Sequence, residues 1–197
     1  MAATTTRVEQ KRQTRAALVA ATRELLTRQG YTDTTAETIA RAAGVSRATF
    51  YLHFRSKAEV VVEIMRGLEP EVAAAYRALD EMVEPTHDDV VAWLEDHANL
   101  WRRYRREFAA MEQALANEAA VADEWFSLHR DVQALMVNLV GRATDEESGR
   151  LVRAHLMSLM MSVDRSFYFL IIRGHDDNYA DVLHVLADQW LTLLRRW

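Results

Sequence analysis

The chain has 197 residues, half of them hydrophobic, a formal net charge of -5 and no cysteine. Without cysteine there is no disulfide framework, thiol nucleophile or Cys-type zinc site, and no apolar run nears the roughly 20 residues that cross a bilayer. The start "MAATTTRVEQKRQTR" lacks the apolar stretch of a secretory leader, so a cytoplasmic protein with no membrane partner is expected.

Two prolines and six glycines point to long helices and few turns. From about Gln10 to Gln29, Leu18, Ala21, Leu25 and Leu26 recur at helical spacing, and Gly30 is a natural stop. In "TDTT", Thr34 or Thr35 can cap a short second helix over about Ala36 to Ala43, and Thr34 with Glu37 reads as a capping box. Ser46 caps a third helix through Phe54. Ser56 with Glu59 opens a long fourth helix, which Pro70 should kink or end. Further helices are predicted from about Asp88 to Asn117 with a break near Arg106, and from about Ala120 to Val140. Another opens at a Thr144–Glu147 box and reaches about Arg173, and a last one follows Asp176. No strand pattern, repeat or low-complexity linker interrupts the series, so the fold class is all-α.

The charge is uneven. Up to Lys57, ten Lys and Arg residues stand against Glu9, Glu24, Asp33 and Glu37. Ten minus four leaves +6 there, and -11 for the remainder. A basic end on an acidic chain suits a polyanionic partner. Within it, "TAETIARAAGVSRATFYLHFRSKAEVV" breaks a helix at Gly44 and restarts it at Ser46. Two short helices around a glycine turn make a helix-turn-helix, with Ile39, Val45, Phe50 and Phe54 available for the wedge between them. The third helix then has the dimensions to enter a major groove about 12 Å wide.

The stretch "AAGVSRATFYLHFRSKAEV" resembles the DNA-binding domain of the TetR family of transcriptional regulators, over roughly Arg15 to Leu68. The resemblance implies a three-helix DNA-binding domain at residues 1–57 and a larger helical ligand-binding and dimerisation domain at 58–197. It also implies the DNA-facing residues Thr35, Ser46, Arg47, Ala48, Thr49, Tyr51, Leu52, His53 and Lys57. Ser46 is a helix cap first and a phosphate donor second. Arg47 can grip guanine or a phosphate, and Thr49 can meet a thymine methyl or a phosphate. Tyr51, His53, Lys57 and Thr35 resemble the family's backbone contacts. Ala48 stands where glycine is frequent and Leu52 where a polar or aromatic residue is frequent, so no operator can be borrowed from a relative.

A single reading helix makes few base contacts, so a homodimer on a pseudo-palindrome of double-stranded DNA is expected. The last two helices are apolar beyond one stripe. Leu156, Met160, Val163 and Phe167, with Val182, Leu186 and Trp190, are the predicted dimer interface, although a monomer core could absorb some of them. Trp93, Trp101, Tyr104, Phe108, Met111, Trp125, Phe126, His129, Met157 and Met161 are plain core or the lining of a pocket for a small apolar inducer. Asn99, Gln113, His129 and Asn138 are candidate polar anchors. "SRATFY", "SK" and Asp164-Arg165 are similar to the ethionamide-activator repressors, which take elongated apolar ligands. No cofactor and no metal is implied. Asp181-x-x-His184 is a lone partial match to a carboxylate–histidine pair, and no phosphate loop or nucleophile elbow occurs, so an enzyme is not expected. The rival to a DNA-binding repressor is a helical scaffold that binds a protein partner.

Overall fold

A computed structural model describes residues 2–196, with side chains from residue 6. Among the described residues every regular element is helical: α1 (Ala2–Gln29), α2 (Ala36–Ala42), α3 (Arg47–His53), α4 (Lys57–Asp80), α5 (His87–Arg103), α6 (Arg105–Asn117), α7 (Ala119–Leu135), α8 (Val137–Val140), α9 (Glu146–Phe167) and α10 (Tyr179–Arg196). A π-helical stretch, Tyr168–Ile172, prolongs α9. The chain forms two compact units. One holds the chain up to Gly67 with Arg106–Trp125, the other Leu68–Arg105 with the chain from Phe126 on.

In the first unit the corner forms as its glycine dictates. Gly44 has φ 69°, a left-handed conformation that costs a residue with a β-carbon. Its N–H donates to the Arg41 carbonyl at 3.1 Å and the Val45 N–H to that of Ala40 at 2.9 Å, which closes the end of α2. A β-carbon at Gly44 would meet nothing within 4 Å, so backbone strain alone demands glycine here. Leu18, Ile39, Ala40, Phe50, Phe54 and Val60 make the buried core of this corner, with Val45 packed on its edge.

Two capping boxes differ from the predicted ones by one residue. Thr35, not Thr34, caps α2 and forms a reciprocal box with Thr38. Thr34 is fully buried, and its hydroxyl donates to the Gly30 carbonyl at 2.7 Å, so it is spent on the end of α1. Likewise Asp145, not Thr144, caps α9, paired with Ser148 rather than Glu147. Ser56 does accept the Glu59 N–H, at 3.3 Å.

α4 runs through Pro70 to Asp80 rather than ending there. A mid-helix proline costs about 3 kcal/mol. The burial of Leu68 just before it and of Tyr76 beyond it offsets that, since each large side chain contributes roughly 1.5–3 kcal/mol.

In the second unit α10 packs against α5 and α9. The Asp80 carboxylate, itself buried, accepts the N–H groups of Asn138 at 2.9 Å and Leu139 at 2.8 Å, tying the end of α4 to the start of α8. The predicted dimer residues lie largely inside the single chain. Leu156, Met160, Val163, Phe167 and Trp190 are 0% exposed and Leu186 is 3% exposed within the single chain. They have no surface left to give a partner; only Val182 is part-exposed. The outward apolar residues of these elements are instead Leu151, Met161, Phe169 and Val185.

Replacing Gly44 by Ala should lower stability by about 1–2 kcal/mol in urea unfolding, and Gly44→Asn by less. Equal stability of Gly44→Ala and the parent chain would show that φ at this turn is not the constraint.

Candidate functional site

α3 turns one side to the core and the other to solvent. Phe50 is fully buried, while Arg47, Ala48, Tyr51 and Leu52 are exposed, Leu52 at 78%. This follows from helical spacing: residues 47, 48, 51 and 52 share one face. The Arg47 guanidinium lies 5.6 Å from the centre of the Tyr51 ring. Ser46 is exposed and works as the cap. Its Oγ accepts the Thr49 N–H at 3.0 Å and lies 2.8 Å from the Thr49 hydroxyl, so these two predicted contacts already bond to each other. Thr35 is likewise exposed at the start of α2, its hydroxyl accepting the Thr38 N–H at 3.1 Å. His53 is half-buried, with an Nδ1 that finds no partner. Burial, then the charges of Lys11 and Arg15, push its pKa down.

Arg15 and Lys57 hold this head together. Arg15 bonds to Glu63 of α4 and to the His53 carbonyl at the end of α3, and its guanidinium lies 4.0 Å from the centre of the Phe54 ring. Lys57 donates to the Tyr31 carbonyl at 2.8 Å and sits 4.0 Å from the centre of that residue's ring. Tyr31 is in turn fixed from α6 and its end. Gln113 accepts the Tyr31 N–H at 2.8 Å and Glu118 accepts its hydroxyl at 2.7 Å. Burial, then Glu118, raise the Tyr31 phenol beyond any ordinary pH, so it remains a donor. Of the nine predicted DNA-facing residues, Arg47, Ala48, Tyr51 and Leu52 stand free on one face. Ser46, Thr49, Thr35 and Lys57 also carry structural bonds.

The ten predicted pocket residues fall in two places. Phe108, Met111 and Trp125 belong to the first unit and the other seven to the second. In the second, Trp93 stacks on His97 with centroids 5.8 Å apart and meets Tyr76 and Trp190 edge-on. Trp101 meets Phe167 edge-on. His129 pairs with Asp164 at 2.9 Å, and the Tyr104 hydroxyl donates to Glu71. Met157 is half-buried, while Phe126 and Met161 are 43% and 37% exposed and so stand at the surface. Clefts of about 810, 440 and 480 Å³ open on this unit, and none of the three is lined by a predicted pocket residue. The candidate anchors are already engaged: Asn99 accepts from Arg102, Gln113 from Tyr31, and Asn138 donates to the Asp80 carbonyl. Asp181 and His184 are both exposed, and among the described residues no group of three or more His, Asp or Glu side chains is placed to hold a metal. No described helix is long and apolar enough to cross a membrane.

Residues 18–64, the corner and its flanking helices, match the family described as bacterial regulatory proteins, tetR family. This segment is a tetR-family regulatory domain. Solved structures with the same fold include a TetR-family regulator from Streptomyces coelicolor, 14% identical over 91% of this chain and 81% of that one, TM-score 0.63. FadR of Thermus thermophilus, a TetR-family repressor solved with lauroyl-CoA, is 24% identical over 91% and 93%, TM-score 0.61. SmeT in complex with triclosan is 18% identical over 89% and 90%, TM-score 0.61. No curated protein matches the chain significantly.

The sequence reading misses the polar part of the second unit's interior. It does not single out Tyr76 or His97, and it places Trp190 at a partner. A signal existed: Val90, Trp93, Leu94, His97, Ala98 and Trp101 form the buried face of α5, with His97 in its middle. Burial pushes His97 down to about 4, against Asp164, which raises it, and with His129, which lowers it. His97 is therefore neutral in the fold. Between about pH 6.5 and pH 4 the unfolded chain binds a proton that the folded chain does not. Stability is full above that window and falls as pH drops through it, by roughly 3 kcal/mol at most. Urea unfolding across this range should show the decline, and His97→Phe should flatten it by a similar amount. An unchanged profile would place the loss on another group.

Proposed function

We propose that the chain is a repressor that binds a pseudo-palindromic operator as a homodimer and leaves it when a small, largely apolar ligand binds. The observation that carries this reading is the exposed face of α3. Arg47, Ala48, Tyr51 and Leu52 project from a helix whose other side is locked in a core. Residues 1–57 read DNA in this scheme. Arg47 grips a phosphate or a guanine edge, Tyr51 and His53 take backbone phosphates, and Ala48 and Leu52 offer only apolar contact to a groove. Ser46, Thr49, Thr35 and Lys57 position the helix starts, and their remaining hydrogen-bonding capacity faces phosphates.

Residues 58–197 bind the ligand and pair the protomers. α9, its π-helical extension and α10 supply the pairing surface through Leu151, Met161, Phe169 and Val185, with Val182 at its edge, in place of the buried residues expected from sequence. Two proteins of the same fold are solved with molecules that have apolar bodies, lauroyl-CoA and triclosan, which supports a ligand of that character here. The ligand acts by binding one packing of the second unit better than another; equal affinity for both would move nothing.

Selecting bound duplexes from a random pool with the purified protein should recover an inverted repeat. On the recovered site, Arg47→Ala should weaken binding and reduce the slope of log affinity against log salt by about one. Repeated failure to recover any duplex at low salt would favour the helical scaffold.

A further inference from the structure

We infer that Tyr76, His97 and Trp190 form an anchoring site for a neutral, oxygen-bearing compound with an apolar aromatic body. The inference rests on the ligand-responsive regulator reading and specifies the ligand's chemistry. Tyr76, His97 and Trp190 are 1%, 2% and 0% exposed, and the Tyr76 hydroxyl, His97 Nδ1 and Trp190 Nε1 have no hydrogen-bond partner in the protein. Buried polar atoms are nearly always paired. Here three unpaired ones sit on rings that share a neighbourhood, since His97 and Trp190 lie 5.4 and 6.0 Å from Tyr76, centre to centre. Trp93, in the same cluster, does satisfy its indole, donating to the Ala75 carbonyl at 2.8 Å. Packing here does not by itself forbid pairing.

The donor inventory sets the ligand's polar group. An indole only donates, a phenol donates or accepts, and a neutral imidazole does either through Nδ1 according to its tautomer. A single hydroxyl serves all three: its lone pairs accept from the indole and the phenol, and its O–H donates to the imidazole Nδ1. Charge sets the rest. Asp164 is close enough for its charge to raise Tyr76, and His97 is held neutral, so the rings offer no cation. A carboxylate or phosphate would face Asp164 without compensation. The walls, Trp93 and Phe167 beside the three anchors, suit a flat apolar body.

Equilibrium dialysis of the full-length protein near neutral pH against 2-naphthol, naphthalene and 2-naphthoate tests this. 2-Naphthol should bind roughly tenfold tighter than naphthalene, with 2-naphthoate the weakest. Tyr76→Phe with His97→Phe should bring 2-naphthol down to the level of naphthalene. Should that double variant not fold, Tyr76→Phe alone keeps the ring and should still lose about threefold of the preference. Equal affinity for 2-naphthol and naphthalene overturns the inference. So does tighter binding of the naphthoate, no binding of any probe, or a preference that survives Tyr76→Phe. An inverted repeat recovered by duplex selection from the same preparation, beside any of those results, removes the anchor and leaves the regulator.

Discussion

A seven-residue helix does not persist in water by itself, because nucleation costs more than so few hydrogen bonds return. α3 is such a helix. It exists because Phe50 and Phe54 are buried against Leu18, Ile39 and Val60, and because Gly44 allows the chain to turn into it at once. The ability to present Arg47, Tyr51 and Leu52 at a fixed angle is therefore a property of the core beneath them. A cavity under Phe50 would disturb the reading face more than most substitutions on that face, since Phe→Ala in a core costs about 3–5 kcal/mol.

Tyr31 is the second fixed point of the first unit. Its N–H and hydroxyl are held by Gln113 and Glu118, and its carbonyl and ring hold Lys57. The same unit holds two ion pairs, Arg23 with Glu107 at 3.4 Å and Arg66 with Glu124 at 2.6 Å, the second with an arginine 60% exposed. Exposed pairs of that kind contribute about 0–1 kcal/mol. The buried tyrosine, bonded at three points, decides where the turn after α1 lies, and the ion pairs follow. Lys57 thereby joins the head's geometry to its charge, because the residue expected at a phosphate is also the residue that fixes the turn.

The two short helices, the glycine between them and the Ser46 cap were legible in the sequence because each rests on local chemistry. The misplacements share one cause, competition among neighbours of the same kind. Thr34 and Thr35 both can cap, and only the distant geometry of Gly30 takes Thr34 away. Thr144 and Asp145 compete in the same manner, and the carboxylate, already charged, suits a helix start better. The inward side of α9 was hard to read for a related reason. α9 carries apolar residues on two sides, and periodicity does not say which side is inward. The inward one proved to be Leu156, Met160, Val163 and Phe167, the outward one Leu151 and Met161. A single chain's own core claims the wider apolar side first, since burying it requires no partner.

Three unpaired polar atoms inside the second unit weigh differently from those errors. Each costs about 1–3 kcal/mol when left without a partner, against a total stability of about 5–15 kcal/mol for an ordinary domain. Phenylalanine at 76 or 97 would keep the aromatic contacts of Tyr76 with Trp93 and of His97 with Phe167 and avoid the penalty. The surrounding structure satisfies comparable groups elsewhere. Asp80 accepts two backbone N–H groups, and Gln133 donates to the Arg153 carbonyl at 2.8 Å. A unit that pairs Asp80 and Gln133 this well has the means to pair these three. Their concentration around one tyrosine, rather than scattered through the core, is what a site held ready for an outside oxygen requires.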